Sequence, residues 1–471
     1  MAGIPVRAAR PRLLNSEQME RIHGAAIRIV GEVGLRVRSA EALAAAERAG
    51  LRVVGDRIFP DRQAFEEFVA QTRGRRSEHA DVQELEPRIE LSVCQYANHV
   101  HDIESDTIVP FTTERLREAA KFVDTTASRG VRGKAPGCPV DVAPELQPVV
   151  QYKIGAECCR DGRGPVEVRS PGVLPYVMDM AEALGHRYTQ QPVYVVSPLT
   201  LGGDSFGCAL AGRERLESVW VSNMSSAGGT APIHLGRALA LAVAEVAAAG
   251  IVAREVVGLP VEWSIRVCPL DPRTMALSLG SPEETLFQWA CEEVNAFYRG
   301  REPGPPWGSL HSQAKLPDPQ AAAERMAAMM TNALFGTRVF VGAGRLSLDE
   351  VFSAEQLVID CELRDHVARL MAGVDVECEA SACVSEVTEG VEEGFLGLET
   401  TARAYRDSYW LPALFERRSL GEWLAQNDRD PSRRAKEMAR ESRRRYEYEL
   451  EPELRRELDR IYASAERELA G

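Results

Sequence analysis

Hydrophobic spacing in this chain starts helical, turns to short strand-like runs, and returns to helical. Over residues 16–33 the apolar positions Ile22, Ala26, Ile29 and Val30 recur at helical spacing behind Asn15. Gln18 is placed to complete a capping box, and Gly34 to end the helix. A second helix over 39–50, a short strand pair over 51–59 and a third helix over 61–72 complete an N-terminal helical cap, residues 1–85. From about residue 90, short apolar runs alternate with helical periods. Strands are predicted over 91–97, 131–134, 166–169, 193–197, 219–223, 261–267, 307–311 and 338–341. Between them lie predicted helices over 113–124, 149–160, 171–184, 213–218, 233–257, 282–298 and 319–335. Ser281, Pro282 at the first helical position and Glu284 closing a capping box mark the sharpest helix start in the chain. After Ser353 the pattern is helical throughout, ending over 428–469 in dense mixed charge with one sparse apolar stripe.

Eight strands interleaved with helices predict an α/β fold: a (β/α)8 TIM barrel over 86–350, with the helical cap before it and a C-terminal helical extension, 351–471, completing and decorating it. A doubly wound open sheet shows the same alternation, but no GxGxxG follows an early strand. Composition narrows the class. Hydrophobic residues make up 45% and charged residues 27%, and the net charge of −14 argues against a nucleic-acid surface. No run of about eighteen apolar residues and no secretory pattern is read, so no membrane span is expected and the expected location is cytoplasmic. Ten scattered cysteines without a CxxC pair are expected to be reduced thiols.

The richest candidate chemistry is the loop after the strand over 219–223. Ser225, Ser226, Gly228, Gly229 and Thr230 put small side chains and bare amides before a helix opened by Pro232, a place suited to an anionic or hydrogen-bonding group. In a barrel the carboxyl ends of strands line the site, which nominates Lys134, Arg169, Ser197, Ser225, Ser226, Glu262, Arg266, His311 and Gln313.

Several segments, in order, resemble the trimethylamine methyltransferase family: EVGLRV (32–37), NMSSAGGTAPIHL (223–235), LSLGSPEE (277–284), HSQAKLPDPQ (311–320), QLVID (356–360) and LDRIYASAEREL (458–469). The resemblance spans residues 14–469. It implies a barrel that moves a methyl group from an amine nitrogen to Co(I) of a corrinoid. Members acting on trimethylamine carry pyrrolysine near the position of residues 311–315. All residues here are standard, so the chain resembles the branch acting on quaternary amines such as glycine betaine, carnitine or proline betaine. On this reading His311 and Gln313 are the catalytic candidates, and Ser225, Ser226, Thr230, Trp263, Arg266, Trp307 and Tyr96 bind substrate. A quaternary ammonium wants aromatic faces, for which Trp263, Trp307, Tyr96 and Phe206 are available, and a substrate carboxylate wants Arg266 or the loop amides. Gly228 and Gly229 are the cofactor-binding candidates. No Asp-x-His-x-x-Gly motif surrounds any of the eight histidines, so the cobalamin is expected from a partner corrinoid protein or free in solution. The charged C-terminal helix and the family together lead to the expectation of a homo-oligomer.

One segment departs from that pattern. His99-x-His101-Asp102 puts two histidines on one side of a strand, where they can share a metal, or sit as surface groups on a hairpin. With Lys153, His186 and His234 the order loosely resembles metal-dependent amidohydrolase barrels, although no final strand-end Asp follows 338–341. A metal is therefore expected only under this alternative. A third reading is a relative that binds a betaine without turnover.

Overall fold

Asn15 caps the helix Ser16–Glu32: its side chain accepts from the Gln18 amide while the Gln18 side chain accepts from the Asn15 amide. Gly34 ends it at φ +73, where a Cβ would also collide with Phe59. The computed structural model describes residues 8–73, 88–162, 167–376, 378–425 and 430–469. The expected boundary at 85/86, the first residues of the chain and the start of the predicted strand over 166–169 lie outside them.

Two parallel ladders form the middle of the molecule. Ser218–Asn223 lies between Gln190–Val195 and Val261–Ser264. Glu90–Val93 lies between Val339–Ala343 and Val131–Arg132, and Ser309 extends this ladder through a bridge to Val341. Helices Thr113–Thr125, Gln147–Cys158, Leu174–Ala183, Leu235–Val257, Pro282–Arg299 and Pro319–Leu334 intervene, so the fold is mixed α/β with the expected alternation. The closed eight-stranded barrel expected from the sequence is not found among the described residues: no ladder joins the two groups, and 167–169 pair with no strand. Part of the reason is local. The Gln191 side-chain amide donates to the Val168 carbonyl at 3.1 Å, taking an acceptor that a neighbouring strand would use.

Two helix expectations also shift. Residues 213–217 form a turn that leads into the strand at Ser218, and Asp204–Gly212 is helical instead. The helix expected from Pro232 starts only at Leu235, because Ser226 and Ala231 close the preceding residues into a self-bonded turn.

Strand parity sets where the cores lie. Val193, Val195, Val219, Val221, Val261 and Trp263 are buried in one apolar core with the helix Leu235–Val257. Leu91, Val93, Val131 and Phe340 join Leu116, Phe122 and Leu357 in another. Residues of the opposite parity, among them Ser92, Tyr194, Trp220, Glu262 and Ser264, stay half-buried, so the face turned away from the helices borders solvent-accessible space. Leu235–Val257 is long and apolar enough by composition to cross a membrane, but 78% of its most apolar window is buried in the protein, as in a core helix.

Candidate functional site

Tyr96 follows the strand Glu90–Val93, and Tyr194 lies on the other ladder, yet the Glu167 carboxylate acts on both phenols. Arg169 reaches the same carboxylate at 3.2 Å. Burial first, and then the neighbouring carboxylate, raises the pKa of the Tyr194 phenol, and the 40% exposed Tyr96 shifts the same way, so both stand as neutral donors. The Trp220 ring meets Tyr194 edge to face with centroids 6.0 Å apart. Three aromatic rings and one carboxylate thus converge on the polar face of the strands. The chemistry suits a cation that offers methyl groups rather than N–H donors.

His311 forms the next part of the wall. Its Nδ1 lies 2.6 Å from Oε1 of Glu284 and 2.8 Å from the Ser309 hydroxyl. Glu284 was expected to close the capping box on Ser281. Its backbone amide does donate to the Ser281 hydroxyl, but its carboxylate turns away to accept from the Gly280 amide, Gln288 and His311. Burial, reinforced by the charge of Arg345, pushes the His311 pKa down to about 4 against the pull of Glu284. Burial disfavours the Glu284 carboxylate, but the His311 bond, Arg266 and the Gly280 amide outweigh it and hold its pKa below the usual range. The consistent state is a neutral imidazole with its Nδ1 proton toward an ionised Glu284.

Two guanidiniums flank this pair. Arg266 Nη2 is 3.7 Å from Glu284 and lacks a hydrogen-bond partner among the described residues. Arg345, only 6% exposed, reaches the Cys94 sulfur at 3.3 Å, and its Nε likewise lacks a partner among the described residues. Its position follows from a turn. Gly342 and Gly344 adopt φ of +99 and +76, and a Cβ on Gly342 would strike the Arg345 guanidinium itself. A buried ion pair braces that turn: Asp360 accepts from the Gly344 amide at 2.7 Å and from Arg325 at 2.8 Å. The buried Arg345 and the half-buried Arg266 against one carboxylate leave the cluster one negative charge short.

The serine–glycine loop is built differently from an open anion cradle. Ser225 is fully buried and donates to Glu245 at 2.8 Å. The same carboxylate accepts from Ser197 (2.9 Å), Asn223 (2.7 Å) and the Leu199 amide (2.9 Å). A lone buried carboxylate costs several kcal/mol, and four neutral donors are what make Glu245 tolerable in a helix of alanines and valines. Burial nonetheless leaves its pKa raised. Ser226 and Thr230 bond each other, and the amides of Gly228 and Gly229 donate to the Ala231 and Ser226 carbonyls. These amides are already engaged within the loop.

Of the aromatic residues singled out in the sequence, Tyr96 alone joins the cluster. Trp263 packs on the helix side, 5.0 Å from the Tyr298 ring, with its indole N–H on Thr72. Phe206 is in the same core, and Trp307 is 51% exposed. Gln313 is occupied by the Leu277 carbonyl through its side chain and by Glu324 through its amide. Lys134 lies beside Cys94, and burial lowers its pKa. The sequence reading missed Glu167, Tyr194, Trp220, Glu284 as a site group, and Arg345. Period-two parity within 190–195 and 218–223 carries the signal for Tyr194 and Trp220.

His99 and His101 do not converge on a common ligand. His99 bonds Asn98, whereas the buried His101 bonds Ser353 and Asp106 and approaches Glu355. His101, Asp106 and Glu355 have a metal-like grouping, but the Lys436 ammonium sits 2.7 Å from Asp106 and 3.7 Å from Glu355 and supplies the positive charge there.

The trimethylamine methyltransferase MttB2 of Methanosarcina mazei is 32% identical over 237 residues, 50% of this chain and 47% of its own length. The match thus spans about half the length of such relatives. The glycine betaine methyltransferase of Desulfitobacterium hafniense is 24% identical over 449 residues, 87% of this chain and 88% of its own. The crystal structure of the Methanosarcina barkeri monomethylamine methyltransferase superposes over 97% of this chain and 87% of its own, at 13% identity and a TM-score of 0.43. The family model described as trimethylamine methyltransferase (MTTB) matches residues 3–470, and the chain belongs to that family.

Proposed function

We propose that this protein transfers a methyl group from a quaternary amine to the cobalt of a corrinoid. The carrying observation is the Tyr194–Trp220 ring pair, with Tyr96 and the Glu167 carboxylate beside Tyr194. The near full-length likeness to a glycine betaine methyltransferase supports it. On this reading the two ladders are arcs of one (β/α)8 barrel over 86–350, between a helical cap and a helical C-terminal region, and the polar strand faces are its lining.

The aromatic faces hold the ammonium through its methyls, each contact contributing about 0.5–2 kcal/mol depending on desolvation. Glu167 adds a negative charge beside them. Arg266 and Arg345 supply the positive charge for a substrate carboxylate, so a betaine spans the site from cage to guanidiniums. Demethylating a quaternary nitrogen releases a neutral tertiary amine. No acid is needed, and the chain's task is to present one methyl in line. The reduced corrinoid supplies the nucleophile. His311 is buried and bonded to Glu284 and Ser309, which does not fit a histidine held ready for cobalt, so the corrinoid is treated as a co-substrate brought by a partner protein or free. The ten free thiols and the family support a cytoplasmic setting.

The test is spectroscopic. Reduced cobalamin is mixed with the protein and a panel of betaines and methylated amines. Quaternary amines alone are expected to produce the corrinoid absorbance change, and a response only to tertiary or secondary amines defeats the proposal.

A further inference from the structure

Cys94, Lys134 and Arg345 each stand just past the carboxyl end of a strand, and the three strands are neighbours in one ladder. Their order is Val339–Ala343, Glu90–Val93, Val131–Arg132. The register pairs Ser92 with Arg132, so two residues further on Cys94 comes beside Lys134. On the other side Ala343 pairs with Val93, and the turn at Gly344 brings Arg345 Nη1 to 3.3 Å from the Cys94 sulfur. The thiol thus lies between a guanidinium and an ammonium. Of the ten thiols only Cys94 and Cys138 are half-buried, and Cys138 donates to the Gln95 carbonyl.

Both cations are short of anions. Among the described residues neither Lys134 nor Arg345 forms an ion pair, whereas Glu284 faces His311 and Arg266, and Asp360 faces Arg325. Arg345 is buried, and its Nε lacks a partner among the described residues. Burial lowers the Lys134 pKa, and Cys94 pulls the other way. Cations held out of water without a counter-ion are destabilising, and a bound anion offsets that. The N–H groups of both side chains suit an oxyanion, and the sulfur between them is a nucleophile.

We infer that Lys134 and Arg345 form a subsite for a small carboxylate over the Cys94 thiol. Lys134 is then a determinant of selectivity for carboxylate-bearing ligands, and Cys94 is where a carboxylate-bearing electrophile alkylates the protein. The subsite stands on the geometry alone, while its use in choosing a methyl donor rests on the quaternary-amine reading. With iodoacetate the step is a displacement. The Cys94 thiolate attacks the methylene carbon, an S–C bond forms, the C–I bond breaks, iodide leaves and the thiol proton goes to solvent.

Reduced full-length protein is treated with iodoacetate or with uncharged iodoacetamide, and labelling of Cys94 is followed by peptide mass spectrometry. The same peptide in urea-unfolded protein gives the reference ratio of the two rates. In the folded protein the iodoacetate-to-iodoacetamide ratio is expected to exceed that reference roughly tenfold, as attraction to an unpaired cation allows. Sodium acetate is expected to slow iodoacetate at Cys94. Lys134→Gln is expected to lower the ratio by roughly threefold or more, with the iodoacetamide rate at Cys94 unchanged. A folded ratio equal to the reference overturns the inference, as does a Cys94 that neither reagent labels. So does a lack of protection by acetate, or a folded Lys134→Gln protein that keeps the wild-type ratio. No corrinoid or methyl donor enters these readouts, so they stand or fall apart from methyl transfer.

Discussion

His311 Nδ1 and Glu284 Oε1 lie 2.6 Å apart, both buried, at the junction of the strand-end wall and the helix Pro282–Arg299. Burial and the charge of Arg345 keep the imidazole neutral against this carboxylate, and the bond fixes which nitrogen carries the proton. A capping glutamate has been redirected to do this, which is why the helix start and the site share one residue.

A pH dependence follows. The folded His311 pKa of about 4 lies below the unfolded value near 6.5, so the unfolded state binds more protons between them. Stability is therefore full above the unfolded value and falls as pH drops toward 4, by about 3 kcal/mol from this residue. Denaturant unfolding at pH 7 and pH 5 is expected to show the loss, and His311→Gln to flatten that part of the profile. An unchanged slope in the variant contradicts the assignment.

Glu245 is expected to be structural. Glu245→Ala strands three buried donors and the half-buried Ser197 hydroxyl and should cost roughly 3–5 kcal/mol. Glu245→Gln keeps part of the bonding and should cost less. Thermal unfolding measures both, and a Glu245→Ala protein as stable as wild type would show that the donors find other partners.

Much of the helical architecture was legible in sequence because its signals are local. Asn15 with Gln18, Ser281 with Pro282, and Asp318 before Pro319 all cap within three or four residues. Barrel closure was less legible, since it depends on partners far along the chain, and near 168 a glutamine side chain takes a backbone acceptor. The site was legible only in part. Trp263 shares parity with Val261 and so faces the helices, while Trp220 and Tyr194 sit on the other parity. The loop glycines suggested open amides, yet Ser226 and Thr230, the same small polar residues that drew attention, satisfy that turn from within. Arg345 carries no local signal at all: two glycines and a distant Arg325–Asp360 pair position it.

The cage makes a separable prediction. Tyr194→Ala and Trp220→Ala are each expected to weaken binding of a quaternary ammonium by about 1–2 kcal/mol, roughly five- to thirtyfold. Trp263→Ala should instead lower stability by about 3–5 kcal/mol while leaving affinity unchanged. Calorimetric titration with glycine betaine, paired with thermal unfolding, separates the two outcomes. The reverse pattern would place the cage on the wrong face of the strands.

Arg345 should discriminate by charge. Arg345→Gln is expected to reduce affinity for glycine betaine by about 1.5–3 kcal/mol, the strength of a hydrogen bond to a charged group, with little effect on choline, which lacks the carboxylate. Equal losses for both ligands would mean that the substitution disturbs the site generally.

The most direct test follows the methyl group itself. Glycine betaine carrying deuterated N-methyls is mixed with stoichiometric protein and reduced corrinoid, and the products of a single turnover are read by mass spectrometry. The account predicts one labelled methyl on the corrinoid for each equivalent of tertiary amine released. Unlabelled corrinoid and intact betaine, with the corrinoid shown competent by methyl iodide and the betaine shown bound by calorimetry, would contradict it.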